Sequence, residues 1–268
     1  MAGLDAFLKT GRYVLTFNGS TPVRSVFRSE YLSQAEKVAM AKYVASKAPL
    51  FYRDLAKIAS DMSESQHFGA VIKDTLAKIP KSETFRESHF CEIVSGIFAE
   101  EKLGLTRIYS KLTLLTAENA NAYKMDLVLC RPETNPVQFV FGEVKSSCKK
   151  EAPAGHDKSC FVDLFRSFNE YNEADLQFDL TAARDRIEAL PPDQKEKVKK
   201  ALLPYGDREL RYAGFIVIDS NTFDQAEAEI LAKRTNTKEF DVDLLCIETL
   251  QSISHDTYDR LDKQFEAF

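Results

Sequence analysis

The chain has 268 residues, 44% of them hydrophobic, with 36 Lys and Arg against 41 Asp and Glu and hence a formal net charge of −5 at pH 7. That length and apolar share allow a substantial core in one large or two small domains. The negative balance argues against a free-standing, tight binder of nucleic acid, because such affinity comes largely from Lys and Arg neutralising phosphates. No run of eighteen apolar residues occurs, and the opening MAGLDAFLKTGRY is too polar for a leader. A cytoplasmic chain with no membrane partner is expected.

The five cysteines, Cys91, Cys130, Cys148, Cys160 and Cys246, are an odd number without a C-x-x-C pair. Reduced thiols are therefore expected, not a disulfide framework. Cys148, His156 and Cys160 are close enough in sequence to suggest zinc, but a fourth ligand is lacking, and buried or loop thiols are the preferred reading.

In chain order, YVLTF at 13–17 reads as a short strand closed by the turn Asn18-Gly19. Residues 29–62 carry apolar side chains at helical spacing, with Pro49 splitting them into two helices. A further helix is predicted over 67–79 and is closed by Pro80. Residues 1–80 thus form a mainly helical accessory region, and 81–268 the functional domain.

The second region opens with a helix over Glu83–Lys102 that ends before Gly104, a residue suited to a helix C-terminus. Glu87 lies on its apolar stripe with Phe90, Cys91, Val94 and Phe98, so periodicity buries Glu87 and exposes Glu92. Glu92 instead faces the small residues Ser95, Gly96 and Ala99, which suit a close approach to a sheet. His89 reads as a surface or satisfied histidine.

Arg107–Thr116 alternates enough for a first core strand, and the polar AENANA follows it. Next come two runs rich in β-formers, MDLVLC and VQFVFGEV, around a break containing Pro132, Asn135 and Pro136. A turn centred between Thr134 and Asn135 pairs Cys130 with Phe139, Val128 with Phe141, and Asp126 with Glu143. Residues opposite one another in an antiparallel pair share a face, and alternation returns Lys145 to it. Three ionisable groups therefore converge at one end of an apolar hairpin.

Two carboxylates so close repel unless a cation lies between them, and hard oxygen donors suit Mg²⁺ or Mn²⁺. Lys145 is then placed to orient or help deprotonate a water and to stabilise a phosphate. The plain alternative is a salt bridge at a strand end, worth little.

After Lys145 the polar SSCKKEAPAGHDK is a loop. Helical patterns cover 161–173, 176–190 and 193–203, with Pro191-Pro192 between the last two. YAGFIVIDS is a buried strand, 222–233 a helix and 240–247 a strand, giving a mixed sheet covered on both faces. Asp219, Asp241 and Asp243 read as strand-end or edge residues. An acidic chain can still meet nucleic acid if a partner delivers it or if a local basic rim of Lys145, Lys149 and Lys150 faces it, with Lys195, Lys197, Lys199 and Lys200 as a further arc; that last run, helical and Glu-containing, reads more readily as a solvated helix face. The chain has no G-x-G and no G-x-x-x-x-G-K, so ATP-driven work must belong to another polypeptide.

Asp126, the strand ending Gly142-Glu143-Val144-Lys145, the Glu-bearing helix before them and the αβ unit after them resemble the D…(D/E)-x-K signature of PD-(D/E)XK nucleases. Met125 stands where that signature often has Pro. More narrowly, the FGEVKSS segment and the chain length resemble the HamA family, effector nucleases of the Hachiman anti-phage defence system. The resemblance implies an α/β, restriction-endonuclease-like core with a helical N-terminal extension. It implies Mg²⁺ (or Mn²⁺) held by Asp126, Glu143 and the Val144 carbonyl, with Lys145 catalytic and a helix glutamate assisting, for which Glu92 fits the family spacing better than Glu87. It further implies DNA as substrate and a HamB-like helicase as partner. A catalytically silent docking module and an RNA-directed enzyme of the same fold remain open beside it.

Overall fold

The computed structural model describes residues 3–10, 23–29, 31–53, 75, 77–115, 125–147, 159–187, 190–223 and 238–266. The predicted strand at 13–17, the loop at 117–122, and nearly all of the predicted helices at 67–79 and 222–233 lie outside them.

Strands β1 (Lys9–Thr10) and β2 (Val23–Arg28) are followed by helices α1 (Gln34–Lys47) and α2 (Pro49–Tyr52). Ser33 and Glu36 start α1 with a reciprocal capping box, and Pro49 occupies the first turn of α2, where its missing N–H costs nothing. Helix α3 (Glu83–Glu101) leads into β3 (Thr106–Ser110), the single turn α4 (Lys111–Leu114), β4 (Leu127–Arg131) and β5 (Val137–Ser147). Three helices follow, α5 (Cys160–Glu170), α6 (Glu173–Arg184) and α7 (Pro192–Ala201), then β6 (Arg208–Asp219), β7 (Asp241–Ile247) and α8 (Leu250–Glu266). Among the described residues no helix is long and apolar enough to cross a membrane.

The strands form one seven-stranded mixed sheet in the order β1-β2-β7-β6-β5-β4-β3. Its β3-β4-β5 end is an antiparallel meander, while β5, β6, β7 and β2 run parallel. Parallel neighbours need crossovers, and α5–α7 provide the one from β5 to β6. The region before residue 80 thus adds an edge to the sheet as well as helices.

Alternation along the strands divides the core into two. Leu127, Leu129, Val140, Val144, Phe215 and Leu245 face α1, α3 and α8. Val128, Cys130, Phe139, Phe141, Ile216 and Leu244 face α5, α6 and α7. Two glycines set how closely helices approach. A Cβ on Gly214 of β6 would stand 2.5 Å from a Leu164 methyl, so its absence lets α5 lie on the sheet; a Cβ on Gly96 of α3 would stand 2.2 Å from the Phe51 ring. Gly96 therefore makes room for α2, not for the sheet as the sequence suggested.

Three strand boundaries lie three or more residues from those predicted. The first core strand stops at Ser110, not at residue 116, because the Ser110 hydroxyl accepts from the Leu112 N–H at 3.2 Å and opens α4. β5 continues to Ser147, and β6 begins at Arg208, because these two long parallel strands pair along their whole length. Helix α3 ends as expected, with Gly104 in the left-handed region at φ +62°.

Candidate metal-dependent active site

The hairpin has the register that its sequence predicts: Cys130 faces Phe139, Val128 faces Phe141, and pairing ends with Leu127 opposite Gly142. Beyond that point β5 runs on without β4. A strand that loses its neighbour leaves N–H and C=O groups to be satisfied otherwise. Here Asp126, in the bend before β4, replaces the ladder, its Oδ2 accepting the Val144 N–H at 2.7 Å. Because a strand residue sends its N–H and C=O to the same side, the Val144 carbonyl faces the same open margin.

Glu143 precedes Val144 on β5 and is buried. Its Oε1 meets the Lys145 ammonium at 2.7 Å, while its Oε2 is buried without a hydrogen-bond partner. Burial, and then the Asp126 charge, push the Glu143 carboxyl up to about 7; Lys145 and the Ser167 hydroxyl on α5 pull against them. Burial opposes the Lys145 ammonium, yet the charges of Glu143 and Asp126 outweigh it and lift its pKa above the usual value.

Helix α3 contributes Glu92, which is buried, with its Oε2 unpartnered. Burial and the neighbouring Asp126 raise its pKa well above the carboxylate range, and Glu143 adds to the effect. Glu87 accepts from Gln251 Nε2 at 2.7 Å on the exposed surface. Periodicity had these two the other way round. The reason is that every residue from His89 to Ala99 is buried, so α3 has no polar face in that span from which to read a stripe.

One residue at the centre of the site went unrecognised in the sequence. Lys111, at the start of α4, donates its backbone N–H to the Asp126 carbonyl at 2.8 Å and its Nζ to Asp126 Oδ1 at 3.1 Å. Asp126 is the largest influence raising the Lys111 pKa. No motif announces Lys111; only the unexpected end of β3 turns it toward the hairpin.

The donor set fits a hard divalent ion. Two carboxylate oxygens, on Glu143 and Glu92, are buried with no partner, and Asp126 adds a third charge beside them. No group of three His, Cys, Asp or Glu side chains is already drawn together as a metal cage among the described residues. The ammonium groups of Lys111 and Lys145 occupy one oxygen each of Asp126 and Glu143 instead.

Other expectations resolve as follows. The basic arc is not at the site: Lys197 and Lys200 line an open groove of about 610 Å³ with Asn135, Val137 and Tyr205, at the far end of β5. Six residues separate Val137 from Glu143 along the strand, about 20 Å at the usual rise. Lys149, Lys150, Cys148 and His156 lie outside the described residues. Cys160 is buried and in no disulfide, and burial pushes the Cys130 thiol up to about 12, which makes the Cys130 thiol inert. His89 is buried against the Tyr52 hydroxyl at 3.0 Å. Asp219 is structural, accepting from the Asn221 and Leu250 N–H groups, each at 2.9 Å.

A family model described as HamA matches residues 6–261 of the 268. A search of curated proteins finds no match to the chain.

Proposed function

The chain belongs to the HamA family, and from that premise we propose that it is a metal-dependent nuclease of the PD-(D/E)XK type, serving as the DNA-cleaving effector of a Hachiman anti-phage defence complex. The observation that carries this reading is the pair of buried, unpartnered carboxylate oxygens on Glu143 and Glu92, beside Asp126 and within reach of Lys145. Such groups are costly to bury. They persist where a ligand satisfies them.

In this reading Asp126, Glu143 and the Val144 carbonyl hold Mg²⁺ or Mn²⁺, and Glu92 stands behind them. A bound divalent ion supplies the charge that polarises a phosphoryl oxygen and acidifies a water. The chain's own groups do the rest. The Val144 N–H fixes one oxygen of Asp126 and so its orientation. Lys145, anchored on Glu143, offers its remaining N–H donors to the attacking water and to the phosphate oxygen on which charge accumulates. Water adds to phosphorus, one P–O ester bond breaks, and the leaving oxygen takes up a proton.

The acidic chain supports a partner that delivers the DNA. A helicase subunit fits that need and supplies the ATP chemistry for which this sequence has no phosphate loop. The silent-module reading has one observation in its favour: Lys111 and Lys145 already neutralise Asp126 and Glu143 as a closed ion cluster. A closed cluster does not account for the two orphaned oxygens.

The test is Mg²⁺- or Mn²⁺-dependent cleavage of plasmid, linear and single-stranded DNA and of RNA, by wild type and Lys145→Ala, alone and with the co-purified helicase. Cleavage of DNA that falls at least about 10²–10³-fold in the variant is expected, the scale for losing one preorganised donor. Equal rates for both proteins, or no cleavage even with the partner, would overturn the proposal. Preference for RNA would correct the substrate.

A further inference from the structure

Lys111 belongs to no motif, yet it is tied to Asp126 twice, by its backbone N–H at 2.8 Å and by its Nζ at 3.1 Å. We infer that Lys111 is an internal counter-ion that stands where a divalent cation will act, and that the cation displaces its ammonium onto the phosphate of the bound strand. This rests on the metal-site reading above and extends it to a residue with no assigned role.

Three observations carry it. First, the charges of Asp126, Glu143 and Glu92 all favour the Lys111 ammonium, and Asp126 does so through a direct contact at 3.1 Å. Without a cation the buried carboxylates of Asp126 and Glu143 need compensation, and the two ammonium groups supply it. Second, both lysines cannot stay where they are once a doubly charged ion arrives. Asp126 Oδ2 already accepts the Val144 N–H and Oδ1 the Lys111 ammonium, so an ion on this carboxylate would share it with Lys111, and two positive charges on one partly buried carboxylate repel. Lys145 keeps its tether to Glu143 and lies one residue past the Val144 carbonyl; Lys111 has no second carboxylate bond of its own among those described.

Third, Lys111 has somewhere to go. Its side chain is 22% exposed where that of Asp126 is 7%, so it borders solvent at the edge of the site. A lysine side chain has several rotatable bonds and a point charge, suited to following a phosphate. With the ion bound and all three carboxylates ionised, the two ammonium groups leave the site with one net positive charge. A phosphodiester carries one negative charge and restores neutrality.

The test compares wild type, Lys111→Met and Lys111→Arg in calorimetric titrations with Mn²⁺, and in binding of a DNA oligonucleotide to the Ca²⁺-loaded proteins. Lys111→Met should bind Mn²⁺ about tenfold more tightly, because no ammonium has to be displaced, and should bind the oligonucleotide at least about fivefold more weakly. Lys111→Arg keeps the charge and should stay near wild type in Mn²⁺ affinity. A purely structural ion pair would not tighten metal binding when removed. Unchanged or weaker Mn²⁺ binding by a folded Lys111→Met, or undiminished oligonucleotide binding, would overturn the inference while leaving the metal site intact. If Lys111→Met fails to fold without metal, its thermal midpoint must rise with Mn²⁺ by more than that of wild type; an equal rise is the overturning result. No Mn²⁺ binding by wild type would overturn the site reading together with this one.

Discussion

Two buried acidic centres stand on the same side of the sheet and differ in how their oxygens are satisfied. Asp179 on α6 is fully buried and accepts the Tyr109 hydroxyl at 3.0 Å on one oxygen and the Tyr171 hydroxyl at 2.8 Å on the other. Burial raises its pKa, while these two hydroxyls and the Met125 backbone pull it back. Glu143 is also buried, but it keeps an oxygen without a partner and has Asp126 as a neighbour of like charge. Burial alone therefore does not mark a functional carboxylate. The distinguishing sign is an unsatisfied acceptor that the fold maintains next to like charge.

The comparison is broken most severely by exchanging the two fates. Lys145→Ala should remove at least two orders of magnitude of cleavage per folded molecule, the loss falling on the rate. Asp179→Ala should do the opposite. It strips two buried hydroxyls of their acceptor and opens a gap between β3 and α6, for a loss of about 2–4 kcal/mol in urea denaturation. Its cleavage rate per folded molecule should stay close to wild type. A large rate loss with unchanged stability would place Asp179 in the working site.

A pH titration sharpens the same contrast. Burial and the Asp126 charge push the Glu143 carboxyl up to about 7 in the folded chain from an ordinary value of 4.5, so the folded state holds the proton more tightly. Its contribution to stability is full below about pH 4.5 and is lost as pH rises through about 7, by at most about 3 kcal/mol. Metal-free Glu143→Gln should match wild type at pH 4 and exceed it at pH 8. Saturating Mg²⁺ should flatten the wild-type curve, because the ion takes over the compensation of the carboxylate. A wild-type stability that rises from pH 5 to 8 in step with Glu143→Gln would show that Glu143 does not carry this cost.

Much of this architecture was legible beforehand, and the failures have physical causes. The β4–β5 register follows from strict alternation: Val128, Cys130, Phe139 and Phe141 can share one covered face in only one pairing. That register put Glu143 and Lys145 near Asp126. The helical crossovers announced a mixed sheet. Lys111 was hidden because a local hydrogen bond from the Leu112 N–H to the Ser110 hydroxyl ends β3, and such a bond leaves the apolar pattern unchanged. β2 went unread because its run of six residues, VRSVFR, has two arginines and is held by parallel pairing with the distant β7. α8 went unread because Ile253, Tyr258 and Leu261 are thinly spaced among ten or more polar residues, and its packing on α1 supplies the helix with what its own pattern lacks.

The smallest expected effect separates the two glutamates of α3. Glu87 is partly exposed and exchanges one hydrogen bond with Gln251, so Glu87→Gln should change stability by less than about 0.5 kcal/mol and leave cleavage unaltered. Glu92→Gln, isosteric with the neutral acid, should leave the metal-free protein close to wild type in stability, since burial favours the neutral form of Glu92. Its effect should surface only with the ion present, as weaker Mn²⁺ binding than wild type. A divalent ion can recruit Glu92 by drawing off its proton, and an amide at that position has none to give. If Glu87→Gln weakens Mn²⁺ binding and Glu92→Gln does not, the helix carboxylate of the site has been misassigned, and the buried, unpartnered oxygen of Glu92 needs another explanation.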